Sequence, residues 1–510
     1  MAEGIPGVQS PLSWSFWDDS LDFMMREGYR RLGIITAFET PPASRVDLRL
    51  VAAFFGRSAL NVDLFREIAD ATPWTSREAF DSYYFGMHPA DGPKSKKRRA
   101  RYPIVLARTL PAMFRLSGQV QRNYQATARW WSGAAMQTHR TDLEGATERF
   151  REAYARFVQS GSAHSAAAQI AGAICNLLGG LCESAGRAEL AMTLLGGRES
   201  VEVETTSDLW DVARAGMPMA DFLARHGYQG PVMGELSDAS WREDSLPVER
   251  LARTYMTMRE SMNPRTLERR RVAEREAGER EFLAALGLPR RMLAHAVFRA
   301  LQAFIPCREY GKAAMMMAFD AARAAARAIG EDMARRDVID EPADVFYLTM
   351  AELMDGYPHD AREVVTKRRA ERAAYRKLEI PDTWTGEATP KVASEAEPQD
   401  VPAGIGVSPG IAEGRARVIR DLREDAELEP GEILVCETTD PSWAAYFLVA
   451  SGVVTDLGGA MSHGAIVSRE IGIPCVVNTK TGTRTIRSGD LLRIDGTTGS
   501  VEKLAPSPTG

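Results

Sequence analysis

The sequence predicts a multidomain protein, with a mainly α-helical N-terminal domain followed by a small α/β domain of β/β/α type. Three observations predict it. Through about residue 375, apolar residues recur at three- and four-residue spacing and strand-like alternation is scarce. From Pro381 to Gly404 the composition shifts to Pro, Ala, Glu and Thr, with little to bury, which suits an extended, mobile connector. From Gly406 to Leu504 short β-rich runs (ARVIR, EILVCE, GVVTD, PCVVN, LLRIDG) alternate with Gly and Pro turns. At 510 residues the chain is too long for one ordinary core. The expected division is a helical domain over 1–379, a linker over 380–403 and a compact domain over 404–510.

Within the helical part, Thr147 to Ser160, Arg265 to Leu286 and Lys312 to Arg336 carry the clearest helical periodicity. Gly227 to Asp244 (GYQGPVMGELSDASWRED) reads as an irregular loop. Asp337 to Met354 reads as a turn at Pro342 followed by an apolar stretch entering a helix. Ala166 to Cys182 is the most apolar stretch. Gln169, Asn176 and small residues dilute it, so it is expected to be a packed helix and not a membrane span.

A hydrophobic share of 45%, a charged share of 26% and a net charge of −6 fit a globular protein without a general nucleic-acid or anionic-membrane face. The run Pro93 to Arg101 (PKSKKRRAR) is expected to be a solvated loop or a dock for an acidic partner. The five cysteines are scattered and form no CxxC pair, so reduced thiols and no metal site are expected. The first twenty residues lack a basic stretch followed by an apolar one, and a cytoplasmic location is expected.

The chemically informative stretch is Thr455 to Val477, TDLGGAMSHGAIVSREIGIPCVV. A β-run ends at the Gly458-Gly459 turn, Ser462 can cap a helix beginning near His463, and Ile473-Pro474 leads into the next strand. His463 then sits at a helix N-terminus behind a glycine loop, where backbone N–H groups and the positive helix end suit a phosphate. A neutral imidazole nitrogen can attack phosphorus and hand the group on, splitting one difficult transfer into two easier ones. Arg469 reads as a surface helix residue.

GGAMSHGAIVSREIGIPCVV resembles the phosphohistidine motif of the phosphoenolpyruvate-utilising mobile domain, found in phosphoenolpyruvate synthase, pyruvate phosphate dikinase and rifampin phosphotransferase. TTDPSWAAYFLVASGVVTD and GIGVSPGIAEGRARVI match the layout of the same domain. The resemblance implies a swivelling domain that carries a phosphoryl group on His463.

The helical region resembles the acceptor-binding domain of rifampin phosphotransferase in SPLSWSF, ESVEVETTSDLWDVA, FLARHGYQGPVMGELSDASWRED, REYGK and DVFYLTMAEL. Gln229 stands where that pattern has a basic residue. Arg308 and Lys312 are four apart and share a helix face; two cations there suit a phosphate, which the guanidinium meets with two bonds and the ammonium as a point charge. The resemblance implies that this pair receives the phosphoryl group. The bland alternative is a solvated face paired with Glu309 and neighbouring acids. His226 and Glu235 are candidates to take or orient the acceptor's proton. Trp14, Trp17 and Met315 to Met317 could line an apolar acceptor pocket, although such stripes also make plain core.

Full-length relatives carry an ATP-grasp domain that charges the histidine, and the dikinases add a barrel. Neither signature is found here, and there is no Walker A sequence. The expected partners are therefore an ATP-grasp subunit acting in trans with ATP and Mg2+, as in phenylphosphate synthase, and a small hydroxylated molecule. The product is expected to be a phosphate ester or a hydroxyl activated for dehydration. The alternative is a non-catalytic binding or regulatory protein.

Overall fold

The computed structural model describes residues 7–36, 45–73, 75–78, 80–81, 99–135, 142–230, 234–381, 383–392, 403–422, 427–440, 443–459 and 462–505. The expected linker is only partly within these. Leu378–Glu379 pairs antiparallel with Lys391–Val392 as a short ribbon; residues 393–402 lie outside the described residues, as do 93–98 of the basic run.

The N-terminal region is helical, as its periodicity dictates. Two long helices form its spine: Leu143–Ser184 and Leu288–Arg335. They pack along one another, with Pro11–Arg31 and Tyr102–Ala134 completing the bundle. Asp142 caps the first, its carboxylate accepting from the Gly145 amide. Leu288–Arg335 extends the segment expected at Lys312 to Arg336 back past Pro306, whose ring sits inside the helix and removes one N–H donor. Small residues allow close approach in this spine. A Cβ on Gly330 would lie 2.1 Å from the Pro342 carbonyl oxygen.

The core answers the question of the aromatic and methionine stripes. Phe16 packs edge-on against Phe157 and Phe319 at ring distances of 4.9 and 5.3 Å. Trp17 and Met315 to Met317 are buried in that cluster, and the Trp17 indole donates to the Gly234 carbonyl. These residues are interior packing; only Trp14 is half-exposed, on a cleft with Phe55 and Tyr375. Leu143–Ser184 is long and apolar enough to cross a membrane by length and composition. Its Ala166, Ile170, Ile174 and Leu178 are buried against neighbouring helices.

One feature departs from the helical expectation. Val51–Phe54 and Arg57–Leu60 form an antiparallel hairpin turning at Phe55 and Gly56, both with positive φ. Four-residue strands are too short for alternation to register as a pattern. Between Met219–His226 and Leu246–Thr257 no helix or strand is found among the described residues, as the turn residues there predict. Pro342–Tyr347 is a 3-10 turn ahead of the helix Met350–Met354.

The C-terminal region is a seven-stranded mixed sheet. From one edge the order is Ser500–Ala505, Leu491–Asp495, Ile411–Val418, Ile433–Cys436, Gly452–Thr455, Cys475–Val477 and Ile405–Ser408. The neighbours from Ile411–Val418 through Cys475–Val477 run parallel, and the flanking pairs run antiparallel. Helix His463–Ile471 is the crossover between the last two parallel strands.

The two regions share a core. Leu209, Trp210, Phe222, Trp241 and Tyr255 from the helical part pack in one cluster with Trp443, Tyr446, Phe447 and Val467. The Tyr255 hydroxyl donates to the Ala445 carbonyl at 2.9 Å.

Because the Pro342 carbonyl is backbone and cannot swing away, Gly330→Ala should cost about 1–3 kcal/mol of stability. A urea midpoint unchanged from wild type would contradict this packing.

Candidate phosphoryl-transfer site

His463 is the first residue of its helix, at the C-terminal end of a parallel strand where such sheets offer ligands a crevice. Gly458 has φ 138°, a conformation L side chains rarely adopt, and a Cβ there would press on the Ser462 side chain at 3.1–3.3 Å. The Ser462 amide donates to the Gly459 carbonyl, and its hydroxyl accepts from the Ala465 amide as helix cap. The glycine turn and the cap together aim the imidazole. Gly464 keeps the next position bare: a Cβ would meet Thr439 Oγ1 at 2.9 Å. Arg469 is not a plain surface residue, since its Nε donates to the Val407 carbonyl at 2.7 Å and ties the crossover helix to the edge strand.

The imidazole is mostly buried against the helical region. Its Nε2 lies 3.2 Å from Glu202 Oε1, and Lys312 Nζ lies 3.2 Å from the same oxygen. Glu202 stands in the first turn of helix Val201–Ala213, which Ser200 caps by accepting from the Glu202 amide. The Nδ1 of His463 is buried and has no hydrogen-bond partner. The ring proton therefore belongs on Nε2, donating to Glu202, because a buried N–H at Nδ1 would go unpaired. Burial pushes the Glu202 carboxyl up, but the electrostatic pull of His463 and Lys312 and a hydrogen bond from each hold it below the ordinary carboxylate range. Burial pulls the Lys312 ammonium down, and Glu202 and Glu309 more than restore it.

Lys312 therefore lies in the contact between the two regions, paired with Glu202 from another helix. Arg308, one turn earlier, is close enough to oppose protonation of Lys312 and of His164. His164 enters from helix Leu143–Ser184, packed so tightly that a Cβ on Gly311 would lie 2.7 Å from its own Cβ. Burial and the charges of Arg308 and Lys312 push His164 down to about 4, so it is neutral. Tyr124 and Tyr310 stack at 4.9 Å near this cluster, and the Tyr310 hydroxyl donates to Glu199.

The two residues expected to handle the acceptor's proton are occupied elsewhere. His226 Nε2 bonds Asp208 Oδ2 at 2.9 Å and Nδ1 faces Thr205 Oγ1 at 3.1 Å, so both ring nitrogens are used. Gln229 donates to Thr205 Oγ1 in the same network. Glu235 accepts from the Ser10 amide and hydroxyl, the Ser13 hydroxyl, the Ser237 amide and Arg372. Neither bonds to His463, Glu202 or Lys312. Their bonds tie His226 to Asp208 and Thr205, and Glu235 to Ser10, Ser13 and Arg372. Glu202 and His164 were not singled out in the sequence. Glu202 lies within the ESVEVETTSDLWDVA stretch, where nothing distinguishes it from Glu199 or Glu204.

Beside Glu202 a narrow cleft runs between the two regions, lined by Arg198, Arg271, Leu448, Glu470 and Ile471 among others. Burial and the carboxylates of Glu202 and Glu309 push Glu470 up to about 8, against the pull of Arg271 and Arg469. Among the described residues no group of three or more His, Cys, Asp or Glu is placed to hold a metal, and all five cysteines are free thiols.

Residues 428–499 match the PEP-utilising enzyme mobile domain. Residues 215–309 match the rifampicin phosphotransferase fourth domain. His463 and its glycine turn fall in the first match, and His226, Glu235 and Arg308 in the second; Glu202 and Lys312 lie outside both. The rifampicin phosphotransferase of Streptomyces sviceus is 41% identical over 211 residues, covering 40% of this chain and 24% of that protein. That of Bacillus subtilis is 37% identical over 201 residues, 38% and 23% of the two chains. An uncharacterized protein of Mycobacterium tuberculosis is 40% identical over 196 residues, again 38% and 23%. The chain thus spans about a quarter of the length of the curated relatives it matches.

Two measurements check this geometry. Glu470 is protonated in the docked arrangement up to about pH 8, whereas a solvated carboxyl ionises near 4.5. Docking then takes up a proton between these values and weakens as pH rises through that window. Small-angle scattering should show the regions separating more as pH rises, and Glu470→Gln should flatten the response. Arg372→Met strands the buried Glu235 carboxylate, and urea unfolding should report a loss of about 3–5 kcal/mol.

Proposed function

We propose that this chain is the acceptor-binding and carrier part of a phosphotransferase. His463 is loaded on Nε2 by a separate ATP-grasp subunit using ATP and Mg2+. The domain 404–510 then swings on the connector 380–403 to the helical domain 1–379 and transfers the group to a hydroxyl of a small organic molecule. The observation that carries this reading is His463 Nε2 docked on the Glu202–Lys312 pair, at the end of a glycine turn and a capped helix.

The chain's own groups support each stage. Nδ1 is buried without a partner and Nε2 points away from the sheet region onto Glu202, which favours Nε2 as the nitrogen that loads. Lys312 and Arg308 offer positive charge for the arriving phosphoryl group, one as an ammonium and one as a guanidinium fork. The backbone N–H groups at the start of the His463 helix favour the negative charge before it leaves. The stacked Tyr124 and Tyr310 offer the acceptor an aromatic surface beside the transfer point. The product is a phosphate ester, released as such or used as a leaving group in a dehydration; the phosphotransferases among the relatives favour the first.

The test is loading of His463 with labelled phosphate from ATP and a co-expressed ATP-grasp protein. Acid-labile, base-stable label should appear in wild type and be absent from His463→Ala, with 31P NMR assigning it to Nε2. Absence of label with every such donor would overturn the carrier role and leave a small-molecule-binding or regulatory protein.

A further inference from the structure

Resting on the carrier reading above, we infer that Glu202 is the proton acceptor of the transfer step, taking the proton of the attacking hydroxyl and returning it to His463 Nε2. Loading puts phosphorus on Nε2, so that nitrogen holds no proton before transfer. In the observed arrangement Nε2–H donates to Glu202 Oε1 at 3.2 Å. Between these states Nε2 must gain one proton, and Glu202 is its sole hydrogen-bond partner among the described residues. The same oxygen receives Lys312 at 3.2 Å, so the base sits against a cation that can hold the phosphoryl oxygens.

His226, Glu235 and His164 are less suited to the role by their surroundings. His226 has both ring nitrogens engaged, and Glu235 is saturated by five donors. His164 lies among Arg308 and Lys312, whose charges oppose taking a proton.

The step balances. The hydroxyl oxygen bonds to phosphorus while the P–Nε2 bond breaks and its electron pair returns to Nε2. The hydroxyl proton passes to Oε1 and from there to Nε2. An alcohol becomes a phosphate ester, or water becomes inorganic phosphate, and His463 ends with Nε2–H. The environment of Glu202 is tuned in the right direction. While the unloaded imidazole donates to it, the carboxylate is a weak base. A phosphoryl dianion on Nε2 removes that donor and adds negative charge, raising the proton affinity of Glu202 at the stage when a proton must be accepted.

The competing role for Glu202 is purely electrostatic: a carboxylate standing where the phosphoryl group must come, repelling the loaded carrier. The two roles predict opposite effects of Glu202→Gln, which keeps shape and removes charge and basicity. The full chain is phosphorylated with phosphoramidate, the loaded fraction is quantified, and loss of phosphohistidine to water is followed by 31P NMR at pH 8. The same chain in urea supplies the uncatalysed rate. Native wild type should discharge faster than the urea-treated chain. Glu202→Gln should slow discharge at least ten-fold toward that baseline, and Glu202→Asp should recover part of it. An unchanged or faster Glu202→Gln rate overturns the inference, as does a native wild type no faster than the unfolded chain. A histidine that takes label neither from phosphoramidate nor from ATP overturns the carrier reading instead. Circular dichroism of each variant separates these outcomes from misfolding.

Discussion

A carboxylate taken out of water must find compensating charge and hydrogen bonds, and Glu202 finds them in two different parts of the chain. Lys312 supplies one from the long spine helix, and His463 supplies the other from the crossover helix of the C-terminal sheet. Removing either leaves an ion partly buried and underpaired, an arrangement that proteins rarely tolerate. This one contact joins the sheet region's imidazole to the helical region's cations. Around it lie the capped turn that aims His463, the close helix packing that brings His164 to Arg308, and the cleft that Glu470 and Arg271 both line.

The contact is polar at its centre and apolar around it. Tyr255, Trp210 and Phe222 meet Trp443, Tyr446 and Phe447 in a shared cluster. Such a surface favours docking without directional bonds and is compatible with release, because apolar contacts can be exchanged for another apolar face. The charged centre would then set which state docks in the proposed cycle. An imidazole donating a proton is complementary to Glu202, whereas a dianion in its place is complementary to Lys312 and Arg308. The proposed load on that nitrogen would therefore redistribute the electrostatics of the junction.

The bundle shows how local sequence and packing divide the work. Pro306 inside a 48-residue helix breaks a local rule, and the burial of Phe304, Cys307 and the alanine-rich turns beyond it outweighs the missing donor. Glu235 likewise reads as a reactive acid in a loop and is found as a buried staple. Five donors from three segments converge on it, and no local pattern announces that convergence.

Much was legible before any coordinate was known. The 3.6-residue periodicity, the composition change after Pro381 and the short β-rich runs determined the helical and sheet regions, because these signals are local and repeat along the chain. The Gly458-Gly459 turn, Ser462 and His463 were equally legible, since a strand, turn and capped helix position that imidazole within ten residues. Arg308 and Lys312 could be paired by helical spacing alone. Glu202 and His164 could not, nor could the engagement of His226 and Glu235. Each depends on which segments, more than a hundred residues apart in several cases, come to face one another. One carboxylate among Glu199, Glu202 and Glu204 is selected by packing, and sequence spacing carries no information about the opposing surface. The chain's own pattern determined where the candidate histidine is; only the tertiary structure decided which acid it meets, because burial and charge pairing are properties of juxtaposed elements.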